Sequence, residues 1–541
     1  ISSVSIENAK LNLENDIEDW NFDKLKNAAA FQWNKELSKI ETKSPNNNFL
    51  KAFYTALYRS MLAPIVYSDA NGEYKGTDGK IYQAKDYTKH SIFSLWDTFR
   101  AEHPLFTLVQ PERVNDMINS MLSHYNEYGL LPVWELLGNE TGTMIGYHAI
   151  PVIADAILKD FKGFNINLAY DAMKKSAMQD HLGLKSYKSL GYVADDKEVE
   201  SVSKTLEYAY DDWCIAQVAK YLGKVEEYKY FSNRAEYYRN LFDPTTNFMR
   251  AKLSDGKWKT PFNPRSSEHR NNEYTEGNAW QYSWFVPQDV EGLISLFSCK
   301  EKFSQKLDSL FSIDSKLEGE NPSSDISGMI GQYAHGNEPS QHISYLYNFV
   351  GQSWKTQERV NQILKTLYND SPSGLCGNED CGQMSAWYIF SALGFYPVNP
   401  ADQNYVIGSP LFDEATINLS DGKKFLIKAN NLSDKNIYIN SAKLNGKELT
   451  KSFITHKEII TGGLLEFEMS DKPNKELWNS SISFPPSMSK IKSNDEIYNN
   501  EYAEKVKQEF LHSWNAYKQY AWGQDQLKPL SKTFRNWYNE S

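Results

Sequence analysis

A mainly α protein is predicted, an (α/α)6 toroid with a smaller C-terminal β unit and a partial helical tail, and three observations predict it. Residues 5 to 395 carry helical periodicity, residues beyond Pro400 switch to two-residue alternation, and the intervening loops gather acids, aromatics and glycines. At 541 residues the chain exceeds the ~250 to 300 at which a single core stops growing, so more than one structural unit is expected.

The helices follow in order. An amphipathic piece at 6 to 17 and a segment at 23 to 41 form a lead-in, assigned with the rest of residues 1 to 44 as linker helices. The segment "PERVNDMINSMLSHYNEYG" shows the signal most fully: Pro111 occupies N1, Val114, Met117, Ile118, Met121, Leu122 and Tyr125 recur on one face, and Gly129 follows as a C′ residue. Comparable segments lie near 48 to 62, 147 to 160, 165 to 178, 200 to 222, 226 to 241, 288 to 298, 301 to 311, 339 to 349, 355 to 368 and 384 to 393, with a further piece around Trp96. About twelve helices, paired as hairpins, would close a ring over residues 45 to 400. Short alternating runs such as "ATINLS", "FLIKAN" and "LLEFEM" then mark a β unit at 401 to 485, with Asn445 and Gly446 at a hairpin turn. It is short for a full sandwich and is expected to pair with strands from elsewhere. "PPSMSKIKSNDE" reads as a linker, and Val506, Phe510, Trp514 and Tyr517 mark one more helix in the tail, residues 486 to 541.

Composition removes several function classes. The 58 basic and 69 acidic side chains are interspersed and leave a net charge of −11, which argues against a nucleic-acid or anionic-membrane surface. No run approaches the ~18 apolar residues of a membrane span, and the opening "ISSVSIENAK" has neither part of a signal peptide. Cys214, Cys299, Cys376 and Cys381 match no zinc spacing, and pairing of Cys376 with Cys381 stays open. Aromatic residues make up 14% of the chain, and flat aromatic faces suit pyranose rings as well as cores.

Acids and aromatics concentrate in five loop clusters: "SLWDTFRAEHPL", "LPVWELLGNETGTMIGYH", "YTEGNAWQYSWFVPQD", "YAHGNEPSQH" and "GNEDCGQMSAW". Loops joining successive hairpins of a toroid emerge at one end, so the five could line one cavity. Hydrolysis of a glycosidic bond needs a protonated carboxylic acid at the leaving oxygen and a second carboxylate as nucleophile or as base to water. Glu276, among aromatics in "TEGNAW", is the candidate acid because desolvation favours its neutral form. Asp380 lies in a glycine-flanked turn ahead of a helix, where backbone N–H groups favour a charged carboxylate, which suits a base. An acid in that position is also a common N-cap, a tryptophan beside an acid is commonly core, and a single His335 or His342 is commonly structural.

At these same residues the sequence closely resembles glycoside hydrolase family 92, the calcium-dependent exo-α-mannosidases. The clusters, with "GQYAHGNEPSQHISYLYN", "GNEDCGQMSAWYIFSALGFYPV" and "LLEFEMSDKPNKELW", match its signatures in order over roughly residues 1 to 480. The resemblance implies an exo-acting, inverting α-mannosidase of N-glycans or mannans, with Glu276 as general acid, Asp380 as base and a calcium ion at Glu338. It implies sugar contacts from Trp96, Asp97 and Arg100, and the other clusters supply Trp134, Glu135, Asn139, Glu140, His335 and Glu379 as binding candidates. Family members often carry an Asp where this chain has Asn378, which can orient a water but cannot share negative charge.

The resemblance further implies an N-terminal β-sandwich that completes the site and is missing ahead of Ile1, and a secreted or cell-surface location. The stretch "VKQEFLHSWNAYKQYAWGQDQLKPLSKTFRNWY" resembles the start of family 47, the α-1,2-mannosidases, with Gln524 and Gln526 flanking Asp525 as a departure. The expected partners are mannose-containing glycans, with no nucleic acid and no membrane insertion. The alternative is a catalytically silent mannose-binding fragment, which calcium-dependent binding without sugar release would reveal. An unrelated toroid enzyme such as a trehalase is disfavoured by the length of the motif matches.

Overall fold

Pro111 does start a helix, Pro111–Tyr128, and Gly129 closes it at φ +95, a left-handed value that glycine adopts without a Cβ penalty. Its predicted face is the buried one: Val114, Met117, Ile118, Met121 and Leu122 all lie in the core. The computed structural model describes residues 1–17, 19–269, 271–489 and 494–536.

Most expected segments are helices with ends displaced by a few residues: Phe22–Leu37, Asn47–Arg59, Ala149–Leu158, Ile166–Met178, Ser201–Tyr221, Val290–Leu296, Lys300–Ser312, Ser353–Thr366 and Gln383–Leu393. Three depart. The Trp96 segment divides into Leu95–Thr98 and Glu102–Val109, residues 225 to 241 divide into Val225–Arg234 and the 3-10 turn Tyr237–Leu241, and residues 338 to 350 wind as 3-10 turns, Glu338–Ser340 and Ile343–Val350. In addition Leu184–Leu190 forms a short helix bracketed by Gly183 and Gly191 at φ +78 and +80. The helices form the (α/α)6 toroid, and the ring closes where the last, Gln383–Leu393, packs on the first, Asn47–Arg59.

The β unit is built on a six-stranded sheet in the order Ile40–Lys43, Glu414–Asn418, Lys424–Asn430, Gly463–Ser470, Tyr438–Leu444, Lys447–Glu448. Its first strand comes from the lead-in and pairs antiparallel with Glu414–Asn418, the partner from elsewhere that so short a unit required. Alternation sets the buried face: Phe425, Ile427 and Ala429 on one strand, Leu465, Phe467 and Met469 on the neighbour running parallel to it. Asn445 and Gly446 turn the next hairpin at φ +52 and +76, the left-handed pair a type I′ turn needs.

Residues 1–488 form one compact unit in which toroid and sheet share a hydrophobic core. Residues 489–541 form a second, containing the helix Asn494–Tyr520 and the hairpin Gln526–Lys528 with Thr533–Arg535. In that unit Trp514 stacks on Tyr517 with ring centroids 5.8 Å apart. Among the described residues no helix is long and apolar enough to cross a membrane.

Candidate active site

The five clusters meet through hydrogen bonds between loops. Ser94 pairs with Trp134 in a small sheet, joining the first two. Gln383 accepts from the backbone N–H groups of Ala101 and Glu102 at 3.0 and 3.2 Å, joining the first to the last. It also donates to Gln341 Oε1 at 2.7 Å, and Trp387 Nε1 donates to the Gln341 carbonyl at 2.9 Å. Asn337 donates to the Glu276 carbonyl at 2.8 Å, and His342 Nε2 meets the Trp284 carbonyl at 2.9 Å. Gln341, Gln383 and Asn337 thus act as fasteners, and a motif of polar amides in buried loops was the available signal for them.

Where the loops meet, Asp97, Glu338 and Asp380 bring carboxylate oxygens within 4.8 Å of one another. Asp97 comes from the single turn Leu95–Thr98 and accepts from Ser94 Oγ, Glu338 opens a 3-10 turn, and Asp380 sits in the tight turn at φ +49. Burial raises the Asp97 and Glu338 carboxyls well above the usual carboxylate range, and the charge of Asp380 pushes both further. Asp380 is raised as well, chiefly by burial, which works against the charged form that its turn was expected to favour. Three adjoining acids cannot all be charged in a buried site without a cation. Both oxygens of Glu338 are buried and without a hydrogen-bond partner among the described residues, and the donors are all hard oxygens, so the residues fit a calcium ion.

Glu276 stands beside this group in a left-handed conformation, φ +45. Burial first, then the charges of Asp325 and Asp380, raise its carboxyl to about 7, against the opposing hydrogen bond from Asn337. It is therefore an acid that still holds its proton near neutrality. Asp325 was not among the expected residues, since nothing in its loop sets it apart by spacing or composition.

The doubled carboxylate of "NED" separates into two jobs. Glu379 serves the helix end, whose N-cap is Gly382: its Oε1 accepts from Ser385 N at 3.0 Å, and Arg59 lies 3.7 Å from its Oε2. Asp380 is thereby left to face Asp97 and Glu338. The glycines serve loop-to-loop contact. A Cβ on Gly377 would collide with Gly336, and one on Gly382 would lie 2.7 Å from the Glu102 carboxyl carbon.

Other expected binding residues are engaged elsewhere. Trp96 is 1% exposed and its indole N–H donates to Glu207 at 3.0 Å, so its face is not free to stack on a sugar. Arg100 is buried against the rings of Trp96, Phe99 and Phe285, its Nε donating to the Trp96 carbonyl at 3.0 Å. Glu207 also takes His148 Nε2 at 2.9 Å and Tyr282 Oη at 3.2 Å, a polar support under Trp96 that the sequence did not reveal within a long helix. Glu135 is buried and accepts from Ser91, Ile92 and Gly138, while Glu140 accepts from Val133, Trp134 and Gly142. Both carboxylates therefore brace the loop, in which Trp134 is half-buried and Asn139 exposed. His335 is clamped between the hydroxyls of Tyr333 and Tyr368, each at 2.7 Å, and is held neutral by burial. All four cysteines are free thiols.

A toroid whose loops join a protonated glutamic acid to a carboxylate group is the arrangement of a glycosidase. Residues 8–471 match the glycosyl hydrolase family 92 catalytic domain, and residues 509–541 match glycosyl hydrolase family 47. A family GH92 alpha-mannosidase from Bacteroides thetaiotaomicron superposes with a TM-score of 0.86 at 45% identity, over 90% of this chain and 64% of that one. A family GH92 inverting mannosidase of the same species gives 0.83 at 36% identity, over 90% and 68%. An uncharacterized secreted glycosidase of Arthroderma benhamiae is 29% identical over 533 residues, 90% of this chain and 62% of its own length. The chain belongs to glycosyl hydrolase family 92, and it spans roughly 62 to 68% of the length of these relatives. The chain is also similar to the endoplasmic reticulum mannosyl-oligosaccharide 1,2-alpha-mannosidase of Rattus norvegicus, 34% identical over 86 residues, 16% of this chain and 13% of that one.

Proposed function

We propose that the protein is an exo-acting, inverting α-mannosidase, calcium-assisted, that removes terminal mannose from N-glycans or mannans outside the cell. The observation that carries this is Glu276, a carboxyl raised to about 7 beside a group of three further acids. Family membership and the mannosidases among its relatives supply the sugar, the relative described as inverting supports the stereochemistry, and the relative described as secreted supports the location.

In this reading Glu276 gives its proton to the leaving glycosidic oxygen, and Asn337 holds its side chain in place. Asp380, in its ionised form, takes a proton from the attacking water on the opposite face of the ring. Glu338 and Asp97 would hold the calcium ion, which supplies positive charge for the sugar hydroxyls and for the surrounding acids. Trp96, Arg100 and Glu207 hold the Asp97 turn from behind.

The test is the anomer first released from an α-mannoside such as α-1,2-mannobiose, followed by proton NMR with calcium present. β-Mannose is expected. α-Mannose as first product would overturn the inverting mechanism, and calcium-dependent binding of mannose without release would favour a silent binding fragment.

A further inference from the structure

Glu276 carries a side chain, yet its backbone stands at φ +45. A left-handed residue other than glycine is strained and persists only where its surroundings impose the conformation. Buried amides impose it here. Asn337 Nδ2 donates to the Glu276 carbonyl at 2.8 Å, Asn272 Nδ2 to the Gly277 carbonyl at 3.0 Å, and Asn278 Nδ2 to Gln332 Oε1 at 3.1 Å. Residues 276, 277 and 278 are thus gripped one after another.

The grip on Asn278 is anchored outside the loop. Gln332 lies in the turn between Met329–Ile330 and Tyr333–Ala334, which is pressed on the end of the helix Lys300–Ser312: a Cβ on Gly331 would lie 2.3 Å from the Leu310 carbonyl oxygen. Gln332 N donates to that carbonyl at 2.7 Å, and its Nε2 donates to the Asp314 and Lys316 carbonyls at 2.8 and 3.1 Å. The Gln332 carbonyl accepts from Gln281 Nε2 at 2.8 Å, Gln281 Oε1 accepts from Asn278 N at 2.8 Å, and Asn278 Oδ1 accepts from Trp280 N at 2.9 Å. Asn278, Gln281 and Gln332 therefore close a ring of amides, none more than 2% exposed, in which every side-chain nitrogen and oxygen has a partner. A buried polar network satisfied at every atom specifies one arrangement. None of these amides carries a charge or a proton to transfer, so what the ring supplies is geometry.

We propose that Gln332 and Asn272 are positioning residues for the proton donor: Gln332 through Asn278, and Asn272 through Gly277, hold the strained backbone that aims the Glu276 carboxyl. The inference rests on the reading of Glu276 as general acid. Release of either grip lets the backbone relax toward a right-handed conformation and turns the carboxyl away from the leaving oxygen, and a misplacement of about 1 Å costs on the order of a hundredfold in rate.

The test is a double-mutant cycle in the full chain with calcium present. Wild type, Gln332→Met, Glu276→Gln and the double variant are compared on α-1,2-mannobiose and on 2,4-dinitrophenyl α-mannoside. Methionine keeps the length of Gln332 and removes its side-chain hydrogen bonds. Gln332→Met should lower kcat on mannobiose about tenfold to a hundredfold with KM nearly unchanged, and less than about threefold on the aryl mannoside, whose leaving group needs little protonation. In the Glu276→Gln background the same substitution should cost less than about twofold, because the group it positions is gone. Equal losses on the two substrates, or a loss that multiplies fully with that of Glu276→Gln, would overturn the proposal. If Gln332→Met does not fold, Asn272→Ala decides by the same two criteria. A Glu276→Gln variant that loses equally on both substrates defeats the acid reading and the proposal with it. A selective Glu276→Gln beside an unselective Gln332→Met defeats the proposal alone, and a wild-type chain that releases no mannose from either substrate defeats both.

Discussion

At the scale of single residues, the environment of each carboxyl decides its chemistry. Glu276 and Asp380 are ordinary acids in an unfolded chain, and the role proposed for each depends on neighbours that arrive from other loops. Because Glu276 is raised to about 7, its protonated form predominates below that pH, and activity should decline as pH rises through about 7. A profile measured from pH 5 to 9 checks this, and a flat response across pH 7 would remove Glu276 from the acid role. Glu276→Gln should lower the rate on mannobiose about a hundredfold or more, and much less on an aryl mannoside whose leaving group needs little protonation. Asp380→Asn should slow both substrates to a similar degree, because an inverting reaction has no covalent intermediate to bypass the base. The sequence alone distinguished Glu276 and Asp380 as acid and base candidates. It could not say which of Glu379 and Asp380 turns to the helix N–H groups, since that depends on where the backbone of the turn points each side chain.

At the scale of elements, helix existence was legible and helix boundaries were less so. The face of Pro111–Tyr128 was written in its periodicity, and both its ends in Pro111 and Gly129, because these are properties of neighbours along the chain. The 3-10 winding of Glu338–Ser340 and Ile343–Val350 was not legible. Those residues are pulled by long-range bonds, such as Trp387 to Gln341 and His342 to Trp284, that no local pattern contains. The start of Gln383–Leu393 offers a test. Gly382 has φ +102, and an added Cβ would lie 2.7 Å from the Glu102 carboxyl carbon and 2.8 Å from its oxygens. Gly382→Ala should therefore cost about 2–4 kcal/mol, seen as a lower thermal midpoint. Adding Glu102→Ala should restore part of that loss by removing the clash but leaving the strained backbone. A Gly382→Ala protein as stable as wild type would show that the turn relaxes freely.

At the scale of the whole molecule, the toroid and the sheet share one core, and the site is where distant loops lock together. His148, buried between Glu207 and Asp211 at 2.9 Å from each, links that support to pH. Burial opposes its charged form, but the two carboxylates outweigh it and raise His148 to about 9. A raised folded value means that this stabilisation is full below the unfolded histidine value of about 6.5 and is lost as pH rises through about 9. The thermal midpoint should therefore fall between pH 6.5 and 9, and His148→Gln should be less stable at pH 6 and flatter over that window. Chelation supplies a second whole-molecule test: a cation held as proposed by Glu338 and Asp97 would bind the folded state alone. EDTA should lower the midpoint and calcium restore it, by about 1 °C for each kcal/mol of binding in a unit of this size. By itself the sequence determined the mainly α class, the ring of helices, the β unit after Pro400 and the loops that carry the chemistry, because periodicity, turn residues and motif composition are local and need no partner. Only the tertiary structure decided that Asp97, Glu338 and Asp380 come within 4.8 Å, that Trp96 and Arg100 are turned into the core, and that Asp325 reaches Asn378. Proximity between residues hundreds of positions apart, and the desolvation that raises their carboxyls, exist only once the ring has closed.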